Sequence, residues 1–331
     1  MNAEGPLDVA GWLDFLVKEY LSDFIRRGGT AVKFAVVPPA AAKPLHDGLT
    51  RAGEAEGYLV ARVEAETTKI HLIDQLFFAV ARQIDWDGLA AVFVRDAYAT
   101  IAFPAPDEGD LRVATVAQAH DVDERELYRS LRRQLEAGLL RDFALAQEFR
   151  LAMLRLCSAQ VVASEVDDAE RVAVLEWLRG ELRQLSRLRS SLIFTRIGRH
   201  NARHMLVSLA RWLTRTGRAG LVLDLDIARL SVARRPPAEE REGLYYSKAG
   251  AMDAYEVLRQ LIDSTDELSS CLAVVVAPPE FVLDESRGLA SYSALQLRIA
   301  DEVRDRHRPN PFAAFVRLGA SRQASRVGGQ G

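Results

Sequence analysis

Cysteine is scarce in this chain. Its only two, Cys157 and Cys271, each sit inside an apolar stretch, which argues against a disulfide framework and fits a reducing cytoplasm. No apolar run approaches the ~20 residues that span a bilayer. The segment from Met1 to Leu16 has no basic stretch leading into an apolar core, so neither a membrane span nor a secretory signal is expected. Excess charge is also lacking: the net charge is −3. Whole-molecule electrostatics therefore give no reason for nucleic-acid binding, and a DNA contact would need a local basic patch. No Ser-His-Asp or Cys-His arrangement has a recognisable sequence context. What is present is 331 residues, 49% hydrophobic and 27% charged, the balance of a folded α/β domain that can carry a helical insertion.

Apolar residues at helical spacing run from Leu13 to Arg27 and stop at Gly28-Gly29, a helix C-terminal signal. Ala31 to Val37 is short, β-branched and apolar, as a buried strand is. A helix over Lys43–Glu56 leads to a second strand, Tyr58–Val63, and helices follow over His71–Ile84 and Leu89–Tyr98. From Val113 to Arg218 amphipathic helices follow one another without a strand, with a break near Val161–Asp168. A third strand reads as Gly220–Leu225, then come a polar loop at Arg234–Tyr245, a helix at Ala249–Asp263 and a fourth strand at Cys271–Ala277. A helix over Leu289–Arg306 and a short fifth strand at Ala314–Leu318 complete the pattern. Strands separated by helices imply right-handed crossovers and a parallel sheet covered on both faces. The expected organisation is an α/β core over 1–104 and 216–319, a helical insertion over 105–215 and a loose tail over 320–331.

The turn after the first strand is where a phosphate-binding loop, G-x-x-x-x-G-K-[ST], would sit. In that pattern the glycines let backbone N–H groups curl around phosphate, the lysine neutralises it and the hydroxyl holds Mg²⁺. Here the same place reads Val37-Pro38-Pro39-Ala40-Ala41-Ala42-Lys43-Pro44. Only Lys43 survives. Val37 and Ala42 bring Cβ atoms to the glycine positions, the prolines remove donors, and Pro44 replaces the metal-holding hydroxyl. Read alone, this is an ordinary strand-loop-helix with a proline-rich turn. The third strand gives it context. Leu221 to Asp226 ends in the acid that would orient Mg²⁺, but Ile227 follows where a water-activating Glu is usual. An isoleucine takes no proton. At the end of the fourth strand, Ala277-Pro278 offers no polar group to sense a γ-phosphate.

Several local strings carry a resemblance: Gly28-Gly29-Thr30-Ala31-Val32-Lys33-Phe34, Phe149-Arg150-Leu151-Ala152-Met153, Glu176-Trp177-Leu178-Arg179-Gly180-Glu181 and Asn201-Ala202-Arg203. Further on come Gly217-Arg218-Ala219-Gly220 running into Leu221–Asp226, Tyr255–Asp263 and Arg287–Leu295. Together, over about 13–318, the chain resembles the ATP-binding P-loop proteins of bacterial BREX-type phage-defence systems, the BrxC/BrxD-like group. The resemblance implies an AAA+-like P-loop NTPase core, α/β with a large α-helical insertion. It also implies partner proteins of a defence cluster. ATPase activity is not carried over, because Val37, Ala42, Pro44 and Ile227 stand where the chemistry would be. The expectation is an inactive homologue acting as a structural or regulatory subunit, with no cofactor, beside an active ATPase paralogue or further copies of itself. The alternatives are an ATP-binding protein with weak ATPase activity, Lys43 and Asp226 holding ATP/Mg²⁺, or a DNA-binding adaptor acting through a winged-helix-like segment.

Three other constellations matter. Val116 to Asp142 resembles a winged-helix recognition segment, in which Arg125, Arg129, Arg132 and Arg133 could meet DNA. A solvated face with i,i+4 pairs also accounts for these residues, and the flanking Asp121, Asp123, Glu124 and Glu126 would repel DNA. Arg287 and Arg298 flank the helix between strands four and five, where AAA+ rings often carry an arginine finger. Either could instead pair with a local carboxylate. His200 and His204 share a helix face but lack the intervening Glu of a zinc motif, so no metal site is expected.

Overall fold

The computed structural model describes residues 7–106, 109–162, 165–235, 237, 239, 242–299 and 310–319. They form two compact units, one made of the described residues up to Leu76 and from Arg218 onward, the other Phe77–Gly217. The helical unit thus begins at Phe77, ahead of the boundary at 105 that the sequence suggests.

The first unit is built on a six-stranded, wholly parallel sheet. Its strands are β1 (Leu7–Asp8), β2 (Thr30–Val36), β3 (Leu59–Glu64), β4 (Leu221–Asp226), β5 (Cys271–Ala277) and β6 (Phe315–Gly319), in the order β1-β6-β2-β5-β4-β3. Every residue of β5 is buried, as expected of a central strand covered on both faces. β1 has only two residues, pairing Leu7 with Leu318 and Asp8 with Gly319. A pair that short has no periodicity for a sequence reading to detect.

Helix α1 (Val9–Phe15) starts where the Asp8 carboxylate accepts from Gly11 N–H at 2.7 Å and runs on as a π-helix over Leu16–Phe24. Together with α2 (Pro39–Ala55) it covers one face of the sheet. Trp12, Leu16, Leu45 and Leu49 pack there on Ala35, Val222, Val274 and Val316. Phe34, of opposite parity to Ala35, stacks on Phe281 at 6.1 Å, and Phe281 meets Tyr255 edge-on. The other face is thereby covered by α10 (Lys248–Asp263) and α11 (Glu280–Leu283). The crossover leaving β2 and the segment leaving β5 lie on opposite faces. This is the geometry that opens a crevice at the carboxyl ends of an α/β sheet.

Gly220, just before β4, has a φ of +149°, and a Cβ added there would lie 2.0 Å from the Ser270 carbonyl oxygen. Gly220→Ala is expected to cost at least about 1–3 kcal/mol in backbone strain alone. A lowered melting temperature in thermal denaturation would show it, and an unchanged one would contradict this approach of β4 to β5.

The second unit is helical: α4 (Trp86–Thr100), α5 (Val113–His120), α6 (Glu124–Leu140), α7 (Gln147–Val161), α8 (Glu165–Leu178) and α9 (Ala202–Arg215). The short α3 (Ile73–Ala81) leads into it. Trp86 meets Phe149 edge-on at 6.1 Å, Phe93 lies 5.0 Å from Trp212, and Cys157 is fully buried beneath Ala90. Among the described residues Val113–Gly217 contains no strand. Of the expected helix over Leu289–Arg306, a 3₁₀ turn at Leu289–Ser291 and α12 (Ser293–Ile299) are described. The rest, like the tail over 320–331, lies outside the described residues.

Candidate functional site

The carboxyl ends of β2, β4 and β5 meet at the crevice, and the side chains there are not those of a phosphate cradle. β2 ends at Val36 and α2 begins at Pro39, so Val37 and Pro38 alone connect them. Val37 is buried, and its N–H donates to the Ala277 carbonyl at 2.9 Å. The eight-residue stretch that could have formed a loop is instead mostly the opening of a helix. Pro38 in an extended conformation followed by Pro39 at the first helical position favours that early start. Ala42 packs against the core. Pro44 sits inside the helix, where it withholds a backbone hydrogen bond from the turn before it. Lys43, with its side chain 84% exposed, pairs along the helix with Asp47 at 3.2 Å. Ile227 is buried with its N–H on the Val276 carbonyl.

Three residues beyond Lys43, the same helix buries His46 against β4. Its Nδ1 lies 2.7 and 2.9 Å from the two Asp224 oxygens, and its Nε2 lies 3.2 Å from Asp226 Oδ2. Asp224 is wholly buried and His46 nearly so. A carboxylate oxygen at each ring nitrogen requires both nitrogens to donate, which makes the ring an imidazolium. Burial by itself opposes that charge. The hydrogen bonds to Asp224 and then Asp226 outweigh it and push the His46 pKa up to about 9. For Asp226 burial favours the neutral acid, but His46 and the Ala228 N–H at 2.8 Å hold the carboxyl below its ordinary value. Arg62, opposite Asp224 in the β3–β4 register, pairs with Glu64 at 2.8 Å. The acid at the end of β4, where a Mg²⁺-orienting carboxylate is expected, thus already faces an internal cation.

His46 escaped the sequence reading, although Asp224 signals it. A carboxylate flanked by Leu223 and Leu225 inside a buried strand needs a partner. Which residue supplies it depends on how α2 lies across the sheet.

Arg287, one of the two candidate arginine fingers, is buried. Its guanidinium donates to the Leu230 carbonyl at 3.1 Å and the Tyr246 carbonyl at 2.9 Å. A finger has to reach a neighbouring subunit, and this one is spent holding its own loops. Arg298 pairs with Asp263 at 3.1 Å and stays partly exposed.

In the helical unit, α5 and α6 form a helix-turn-helix around Asp121, which has a left-handed φ of +53°. The Asp123 carboxylate caps α6 through the Glu126 N–H. Leu127, Leu131, Leu135 and Leu139 are buried, leaving Arg125, Arg129, Arg132 and Arg133 exposed. No strand lies between α6 and α7 among the described residues, and Asp142 pairs with Arg211 and Arg215 of α9 at 3.0 and 2.8 Å. Arg132 pairs with Glu136 at 2.7 Å, as a solvated helix face does. His200 and His204 are exposed, and no group of His, Cys, Asp and Glu among the described residues is placed to hold a metal. Also among them, no helix is long and apolar enough to cross a membrane.

No curated protein and no solved structure matches the chain. A family model, BREX system ATP-binding protein BrxC/D, matches residues 110–325. That span holds most of the helical unit, β4, β5 and β6, and it begins after the turn between β2 and α2. Covering more than half of the chain, the match shows that this protein belongs to the BrxC/D family of BREX-system ATP-binding proteins.

Proposed function

We propose that this chain is a catalytically inactive AAA+-like P-loop NTPase homologue that serves as a structural or regulatory subunit of a bacterial antiviral defence complex. The observation that carries the reading is the His46 imidazolium lying between Asp224 and Asp226. Mg²⁺ at that acid would bring two positive charges up against a buried third. The phosphate side fits no better. Two prolines and a Val37 N–H already bonded to Ala277 leave few donors, and Lys43 points to solvent. These residues do not fit a magnesium triphosphate, and no hydrolytic step is assigned to them. Membership in a BREX family implies a defence role with other proteins of the system. Of the two candidate fingers, Arg298 is the one whose exposure leaves it able to reach an active paralogue.

Calorimetric titration of the full chain with Mg·ATP is expected to show no saturable heat at ligand concentrations up to about 1 mM, which corresponds to less than about 4 kcal/mol of binding. Micromolar affinity would defeat the reading and restore the alternative of a working nucleotide site at Lys43 and Asp226.

A further inference from the structure

Five of the 43 basic residues in this chain are lysines and the rest are arginines, and they are not evenly spread. From Leu182 to Gly217 the sequence has eight arginines, two histidines and no Asp or Glu. The first half of this run is the connection between α8 and α9. It alternates buried anchors with exposed basic or aromatic residues. Leu182, Leu188, Ser191, Ile193 and Ile197 are buried, while Arg183, Arg189, Phe194 and Arg199 face solvent.

The loop is held in shape rather than left loose. Arg196 donates to the carbonyls of Leu182 and Arg183 at 3.0 and 2.6 Å. Trp177 Nε1 donates to Thr195 at 3.0 Å, and Arg155 donates to Ser190 at 2.6 Å. Leu192 keeps a φ of +59°, which leucine adopts only under constraint.

Neutralisation is incomplete. The acids bordering the loop are already matched: Glu176 with Arg187 of the loop itself, Glu181 with Arg82 and Glu170 with Arg155. Among the described residues, the side chains of Arg183, Arg189 and Arg199 have no hydrogen-bond or ion-pair partner. Between these cations Leu192 is 58% and Phe194 65% exposed. Ser191 and Leu192 also line a cavity of about 320 Å³ with Tyr128, Leu135 and Leu154. In its wall the buried Ser191 hydroxyl has no partner. Unpaired guanidiniums alongside an exposed aromatic ring and an exposed leucine are what a polyanion with accessible flat apolar faces requires. A duplex satisfies the first half only, because its bases are stacked out of reach.

We infer that the loop between α8 and α9 is a binding surface for single-stranded nucleic acid. Arg183, Arg189 and Arg199 contact phosphates, and Phe194 stacks on a base. The inference goes beyond the inactive-subunit reading and stands whether or not nucleotide binds at β2.

Fluorescence anisotropy of the full chain against a labelled oligo(dT), and against a duplex of equal length, tests it across a salt series. Oligo(dT) is expected to bind more tightly. Its log K should fall with log salt at a slope of about −2 for three neutralised phosphates. R189A/R199A should flatten that slope by about 1.4, and F194A should weaken oligo(dT) binding about tenfold at unchanged slope. R125A/R129A should leave both as they are. No binding at low salt would overturn the proposal, as would loss of binding in R125A/R129A while R189A/R199A is inert. Equal affinity for the duplex together with insensitivity to F194A would overturn its single-stranded form. All of these side chains are exposed, so melting temperatures should stay unchanged. F194A provides a second arm should the arginine pair perturb folding.

Discussion

Replacing His46 with alanine is expected to destabilise the first unit by about 3–5 kcal/mol, the usual cost of removing one member of a buried ion pair. Asp224 has no exposed surface, and without the imidazolium its carboxylate would lose the cation that donates to it inside the sheet. The same contact makes stability depend on pH, with a definite sign. The folded-state pKa of His46, about 9, lies above the value of 6.5 expected for the unfolded chain. The contribution is therefore fully present below pH 6.5 and is lost as pH rises through 9. It amounts to about 3 kcal/mol at about 1.4 kcal/mol per pH unit. Asp226 acts at the other end. Its folded pKa is depressed, so its contribution is present above the unfolded value of 3.8 and lost as pH falls through the lower folded value. Denaturant melts of wild type and His46→Ala between pH 6 and 9.5 check the alkaline limb. Wild-type stability should decline across that window and the variant should start low and change less. A flat wild-type profile would remove the imidazolium from its place between the two acids.

Arg287→Ala should be nearly as damaging, by about 3–5 kcal/mol. Hydrogen bonds from a charged donor are worth about 1.5–3 kcal/mol, and this guanidinium satisfies the carbonyls of both Leu230 and Tyr246. The Tyr255 hydroxyl in turn donates to the Arg287 carbonyl at 2.9 Å. For a unit of this size, such a loss lowers the melting temperature by about 10 °C. A finger arginine behaves in the opposite way: its removal leaves the subunit's own melting untouched and shows only in a partner's turnover. Thermal denaturation of the isolated chain separates the two. An unchanged melting temperature for Arg287→Ala would return the residue to the list of candidates for action in trans.

Much of the architecture was legible because it rests on local patterns. Cys271–Ala277 is an unbroken apolar run, and it forms the fully buried β5 over those same residues. Ser247, whose hydroxyl accepts from the Gly250 N–H at 3.1 Å, opens α10 one residue before the periodicity begins. Patterns failed where an element is too short or a partner too distant in sequence. β1 is two residues long, and its pairing with Leu318 and Gly319 spans nearly the whole chain.

The site divides along the same line. By itself, the sequence determined that the segment after β2 reads Val37-Pro38-Pro39 without the glycines and donors of a phosphate loop, because each missing glycine or N–H is a property of one residue and needs no neighbour to be true. Only the tertiary structure decided that His46 would be the cation facing Asp224 and Asp226, and that Arg287 would be buried. Both outcomes bring together residues far apart in the chain, where burial turns an ordinary charge into one that must be matched.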